Sequence, residues 1–296
     1  KGDLIMNGSG KIAGNAQADG SLNMASGSPS ISKNALIGNN ASFGGGASIT
    51  GSLSYGGKVS CAWGSVGSFV HGGATKITNY TAIDNSAYTS QPLTIVNTPT
   101  QAQNPALYNE VVINNNTISN SGTINASVVS RLNQMSWGST VTIDTSTKDI
   151  NLLLNTGLSL NNGLNLVVTG PHNVYLYMIG SSSISVNSNE YIGMKTRGTN
   201  PKMFIFGDGA QTISLNANSE MDAVVYVPGG TLSASGSPLD TYKFIGTCIV
   251  KNVNISSNVT FQYSPPDLTN TPLNIYTSGT SGSSGSGWVI ESWDDN

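Results

Sequence analysis

From residue 35 the sequence steps in sixes: ALIGNN, ASFGGG, ASITGS, LSYGG. Ala35, Ala41, Ala47 and Leu53 form one column, and Ile37, Phe43, Ile49 and Tyr55 form a second, two places on. The step returns at residues 152–168 as LLLNTG, LSLNNG, LNLVV, with columns Leu152, Leu158, Leu164 and Leu154, Leu160, Leu166. It appears once more at 253–261, where Val253 pairs with Ile255 and Val259 with Phe261. Each unit is apolar–polar–apolar and then a polar or glycine corner. The i, i+2 pair puts two side chains on one strand face, and the Asn and Gly that follow supply the positive φ of a tight corner.

A three-residue strand plus a corner, repeated, is one side of a β-solenoid coil. No coil can bury its apolar stripe alone, so the coils must stack. The sequence therefore predicts an all-β fold, a parallel β-solenoid (β-helix) with hexad-like coils, long surface loops and at most one short helix. A generic sandwich would alternate without a fixed period of six. The helix candidate is NASVVSRLNQMSW (125–137), where Val128, Leu132 and Met135 share a face and Asn125 or Ser127 caps the start.

Four segments follow: N-terminal coils at 1–62, an aromatic and Pro-containing connector at 63–115, C-terminal coils at 116–266, and a Ser/Gly linker with a closing strand at 267–296. Trp288 and Trp293 in that last strand should dock on the body, since two tryptophans left in water are unfavourable.

Composition narrows function. Only 9% of the 296 residues are charged and the formal net charge is −3, so the surface is covered by Asn, Ser, Thr and Gly. The 12 basic residues form no run, which removes the electrostatic footprint of nucleic-acid binding. No apolar stretch is long enough to span a membrane. The chain opens at KGDLIMNG without a signal peptide, as a trimmed ectodomain would. Cys61 and Cys248 lack CxxC spacing; they read as buried free thiols, with a Cys61–Cys248 disulfide as the alternative.

Solenoids host carbohydrate-active enzymes, so the acids and histidines need testing. Asp208, Asp222 and Asp240 are scattered rather than clustered as a glycoside hydrolase requires. Asp208, Glu220 and Asp222 could approach across coils as a calcium site; the plainer reading is solvated corner acids. His71 follows too few clean hexads for a hexapeptide acyltransferase, and His172 lies in a turn without a Ser, Cys or acid partner at motif spacing. P-loop, dinucleotide and HExxH motifs are missing. No metal or cofactor beyond that calcium candidate is expected, and no catalysis. Ligand binding is instead expected on the connector, where Trp63, Phe69, His71, Tyr80, Tyr88 and Tyr108 supply aromatic anchors that the repeat does not need.

AVVYVPGGTLSASGS (223–237) and FIGTCIVKNVNISSNVTFQYSPP (244–266) resemble the C-terminal β-helical region of PilX-like pilus assembly proteins. The family's YAP-type strand corresponds to Tyr226-Val227-Pro228, its F-x-G-x-I/V strand to Phe244 through Ile249, and its I-S-x-N coil to Ile255 through Tyr263. The Ser/Gly linker and closing GWVIESWDD resemble Gram-positive, especially clostridial, members. The resemblance covers most of the chain from about residue 20. It implies a non-enzymatic minor pilin or tip adhesin of a type IV pilus, extracellular and at the cell surface. Its partners would be a host cell-surface protein, matrix component or glycan, and other pilins through an apolar N-terminal helix that this sequence does not contain. No nucleic acid or membrane contact is implied for these residues. A β-helix polysaccharide lyase or hydrolase is the alternative.

Overall fold

A computed structural model of the chain describes residues 3–18, 20–61, 65–69, 96, 98–194, 200–207, 209–239, 241–256, 259–264, 266–267 and 271–273, with backbone alone at 25, 61, 65, 67–69 and 263. Within these residues the hexads become successive sides of a three-sided coil. Ala35–Ile37, Ala41–Phe43 and the start of Ser48–Tyr55 are three such sides, and the end of that last strand begins the next coil. There Leu53 pairs with Ala35 and Tyr55 with Ile37. Three hexads make one turn, so partners lie 18 positions apart: Ser52 N–H donates to Asn34 Oδ1 at 2.9 Å. Ile37, Phe43 and Ile49 are all buried, each stacked on a different neighbour: Tyr55, Met24 and Ile31.

Corner chemistry explains the Asn and Gly. Asn15 Oδ1 accepts from Asn34 N–H at 2.9 Å, and Asn40 Oδ1 from Lys58 N–H at 2.8 Å. Each amide thus satisfies a backbone donor of the next coil where no strand partner exists. Gly8, Gly27 and Gly45 stack at another corner with φ of 64°, 81° and 60°. A β-carbon on Gly27 would lie 2.3 Å from Gly8 O.

All described strands join one parallel sheet system of 24 strands, wound as three faces. On the first face (A), the inward column runs Val141, Leu166, Ile192, Met221, Phe244, Phe261, Ile12, Ile31, Ile49, Val66. The order in space is not the order in sequence. Residues from the start of the chain stack on the last coil of the C-terminal half, and a second face (C) repeats this with Val253 against Leu4. At about 4.8 Å per step the ten-residue column is about 43 Å long. The ladder also continues past residue 62, because Ser65–Phe69 pairs with Ser48–Tyr55.

The remaining face (B) has two stretches. Leu152, Leu176, Ile205, Val225 and Cys248 stack in one, and Ala16, Ala35 and Leu53 in the other. Between them Ser264 N–H donates to Gly246 O at 3.2 Å, and the sequence then reads Pro265-Pro266.

The helix lies where expected, Ala126–Asn133 (α1), with Asn125 Oδ1 accepting from Val128 N–H at 3.0 Å. Its buried Val128 and Leu132 cover the open end of the first coil. No described helix is long and apolar enough to cross a membrane.

In the C-terminal half face B is apolar on both sides. Val174–Met178 and Met203–Gly207 send Leu176 and Ile205 inward and Tyr175, Tyr177, Phe204 and Phe206 outward. The outward rings form a second core, with centroid separations of 5.5–6.3 Å. Leu107 of the 3-10 helix Pro105–Tyr108 and Leu273 seal it, and Val96 packs beside them. The connector's described C-terminal part is therefore a structural cover. Trp288, Trp293 and the linker before them lie outside the described residues.

Candidate functional site

Three groups of side chains stand out: the connector aromatics, a ledge of buried charged residues on face A, and an exposed corner beside α1. Of the connector residues, Trp63, His71, Tyr80 and Tyr88 lie outside the described residues. Phe69 is described through its backbone, which pairs with Leu53. Tyr108 is 39% exposed and its hydroxyl donates to Pro99 O at 2.9 Å. That bond holds the loop to itself while the adjacent Leu107 is fully buried.

The charged ledge corrects the reading of Glu220 and Asp222 as solvated corner acids. Both are fully buried, near the start of strand Ser219–Ala234, at its second and fourth positions. The segment NSEMDA looks like a polar corner, but its E-M-D alternation is that of a strand: Met221 enters the core column and the acids take the opposite side. Asp222 lies between Gly193 and Ile245 in the ladder. Among the described residues neither of its oxygens has a hydrogen-bond partner. Burial, aided by the negative charge of Glu220, pushes its carboxyl up to about 7.

Glu190, also buried, is raised by burial too, although the Asn187 N–H donates to its carboxylate. Lys243 is fully buried, and its ammonium donates to Ala217 O and to Ser237 O, the latter at 2.8 Å. Carbonyls supply no counter-charge, and burial pulls Lys243 down to about 8. For calcium, the ledge offers Glu220 and Asp222, while Asp208 lies outside the described residues. Among the described residues no group of three or more His, Cys, Asp or Glu is placed to hold a metal ion.

Cys248 is a free thiol, half-buried against the core and raised by burial to about 11. Cys248 therefore offers no reactive thiolate, and the side chain of Cys61 lies outside the described residues. His172 does meet an acid, but across coils: its Nδ1 is 3.9 Å from Asp149 Oδ1, with both side chains nearly half exposed.

Residues 130–270 match the family model of a domain of unknown function, DUF7305. No curated protein and no solved structure matches the chain. The matched stretch runs from within α1 through the C-terminal coils to the segment beyond Ser264. It includes the buried ledge and the exposed corner.

That corner was not legible as a site in the sequence. Trp137 follows α1 and reads there as one more apolar residue of an amphipathic segment. In the structure it is 69% exposed, more than any other large hydrophobic side chain described.

Proposed function

We propose that the chain is a non-enzymatic extracellular attachment protein, a stiff rod that presents binding surfaces. The observation that carries this reading is the stacking of Ile12 on Phe261, which makes the two sets of coils one ladder. A continuous parallel ladder resists bending and stretching, because load is shared by backbone hydrogen bonds along faces A and C. The sequence carries few charges, and the neighbouring acids Glu220 and Asp222 are buried rather than open to a substrate groove. With the resemblance of residues 223–266 to PilX-like proteins, these features support a minor pilin or tip adhesin of a type IV pilus.

The test is attachment. Purified protein coated on beads should bind host cells or matrix components in preference to albumin-coated beads. Beads that bind no better than albumin overturn the reading. The rival carbohydrate-active enzyme has one observation in its favour, the His172–Asp149 pair. Release of reducing ends or unsaturated products from acidic polysaccharides, abolished by His172→Ala, would establish it instead.

A further inference from the structure

We propose that the corner headed by Trp137 is a binding track for a neutral saccharide; the proposal rests on the attachment reading and names the chemistry of its ligand. The corner lies between faces C and A, and four coils contribute to it in succession. Gly138, Asn162, Asn189 and Ala217 occupy it with φ of 73°, 62°, 58° and 43°. Adjacent coils are tied there: Gly138 N–H donates to Asn162 O at 2.9 Å, and Asn165 N–H to Ser139 O at 2.9 Å.

Left-handed corners turn the chain sharply and hold short side chains at the surface. Asn162, Asn189 and Asn218 are all exposed and come from three successive coils, which are spaced about 4.8 Å apart. At the head of this row, Trp137 is 69% exposed. Its ring lies beside the next coil's corner: a β-carbon on Gly163 would be in ordinary contact with Trp137 Cε2, at 3.4 Å. A β-carbon on Gly138 would meet nothing within 4 Å. The site is a flat aromatic surface beside a row of amides, with open space over it.

This combination selects a ligand class. A pyranose ring has a C–H face that packs on an aromatic plane and a rim of hydroxyls that both donate and accept. Trp supplies the plane at small entropic cost, and each exposed Asn supplies a donor and an acceptor. The coil spacing is of the order of one sugar ring, so a linear oligosaccharide can meet successive amides. Charge favours a neutral chain: residues 133–139, 160–165 and 215–218 contain no charged residue, and Glu190 beneath them is buried. A protein partner would need apolar neighbours to build an interface core around the indole. The exposed residues around it are Gln134, Ser136, Gly138, Asn161 and Asn162.

The full chain is titrated calorimetrically with hexasaccharides of glucose, mannose, galactose and N-acetylglucosamine, with hexagalacturonate as the charged control. At least one neutral hexasaccharide should bind, and hexagalacturonate should bind more weakly. Trp137→Ala should weaken that binding at least tenfold and Trp137→Phe only a few-fold, with melting temperature unchanged in both, because the ring is exposed. Silence across the neutral panel, or binding indifferent to Trp137→Ala, overturns the proposal. The bead assay separates the two readings. Attachment without saccharide binding removes the track and leaves the adhesin; saccharide binding without attachment keeps the track and removes the adhesin.

Discussion

Phe261, in the last coil of the C-terminal half, pairs in register with Ile12, in the first coil of the N-terminal half. Two segments from opposite ends of the sequence thus share one core, and neither end of that interface is a free surface. The halves should melt together. A single transition is expected by calorimetry, and Ile12→Asp should lower it for the whole molecule. Two separate transitions in the unmodified protein would show that the junction does not couple the halves.

Leu160 tests the repeat itself. It is fully buried and pairs with Val186 on the next coil. Leu160→Ala should cost about 2–5 kcal/mol, the usual range for buried leucine truncation, measured by denaturant unfolding. Gly27→Ala probes the corner rather than the core. With φ at 81° and Gly8 O where the methyl would go, the substitution should cost more than about 1 kcal/mol. A neutral effect would mean that this corner adapts.

The fold was legible because a side of three residues and a corner of three leave a mark at every sixth position. Leu152 through Leu166 carry that mark without interruption, so both their strands and their burial follow from the sequence. The three-sided closure was not legible, since a six-residue period fits any number of sides. It emerges from the 18-residue separation of Asn34 and Ser52. The splice of Phe261 onto Ile12 left no local signal, because it depends on where a connector places a whole segment. Glu220 and Asp222 misled for another reason. Exposure of the side of a strand facing away from the core depends on what covers it, and an isolated E-M-D looks the same in both settings. Trp137 was hidden by the opposite effect, an apolar residue that a helix pattern absorbs.

Asp222 predicts a pH dependence with a definite sign. Its carboxyl is raised to about 7 in the folded protein, against about 3.9 in an unfolded chain. Between those values the folded state holds a proton that the unfolded state has lost, so stability falls as pH rises from about 4 to about 7 and then levels. Asp222→Asn keeps the shape and removes the titration. It should flatten that slope and be more stable than the native protein at pH 8, measured as unfolding free energy against pH. A native profile that rises across this window would mean that Asp222 is ionised and paired when folded. Lys243, lowered to about 8, acts in a separate window: stability should rise from about pH 8 toward 10.5, where the unfolded lysine still binds its proton.

The connector's role as a cover can be separated from any role in binding by two neighbouring residues. Leu107 is fully buried against the second core, which contains Tyr177, Phe206 and Tyr226, and its carbonyl accepts from Thr123 Oγ1 at 2.7 Å. Tyr108, the next residue, is partly exposed, and its hydroxyl donates to Pro99 O at 2.9 Å. Leu107→Ala should therefore cost about 2–5 kcal/mol and loosen the cover, raising the fluorescence of a hydrophobic dye as the tyrosine and phenylalanine rings become accessible. Tyr108→Ala should remove one exposed hydrogen bond, about 0.5–1.5 kcal/mol, without dye binding. If both variants behave alike, the segment from Pro105 to Tyr108 does not seal face B, and the aromatic wall must be held by the coils alone.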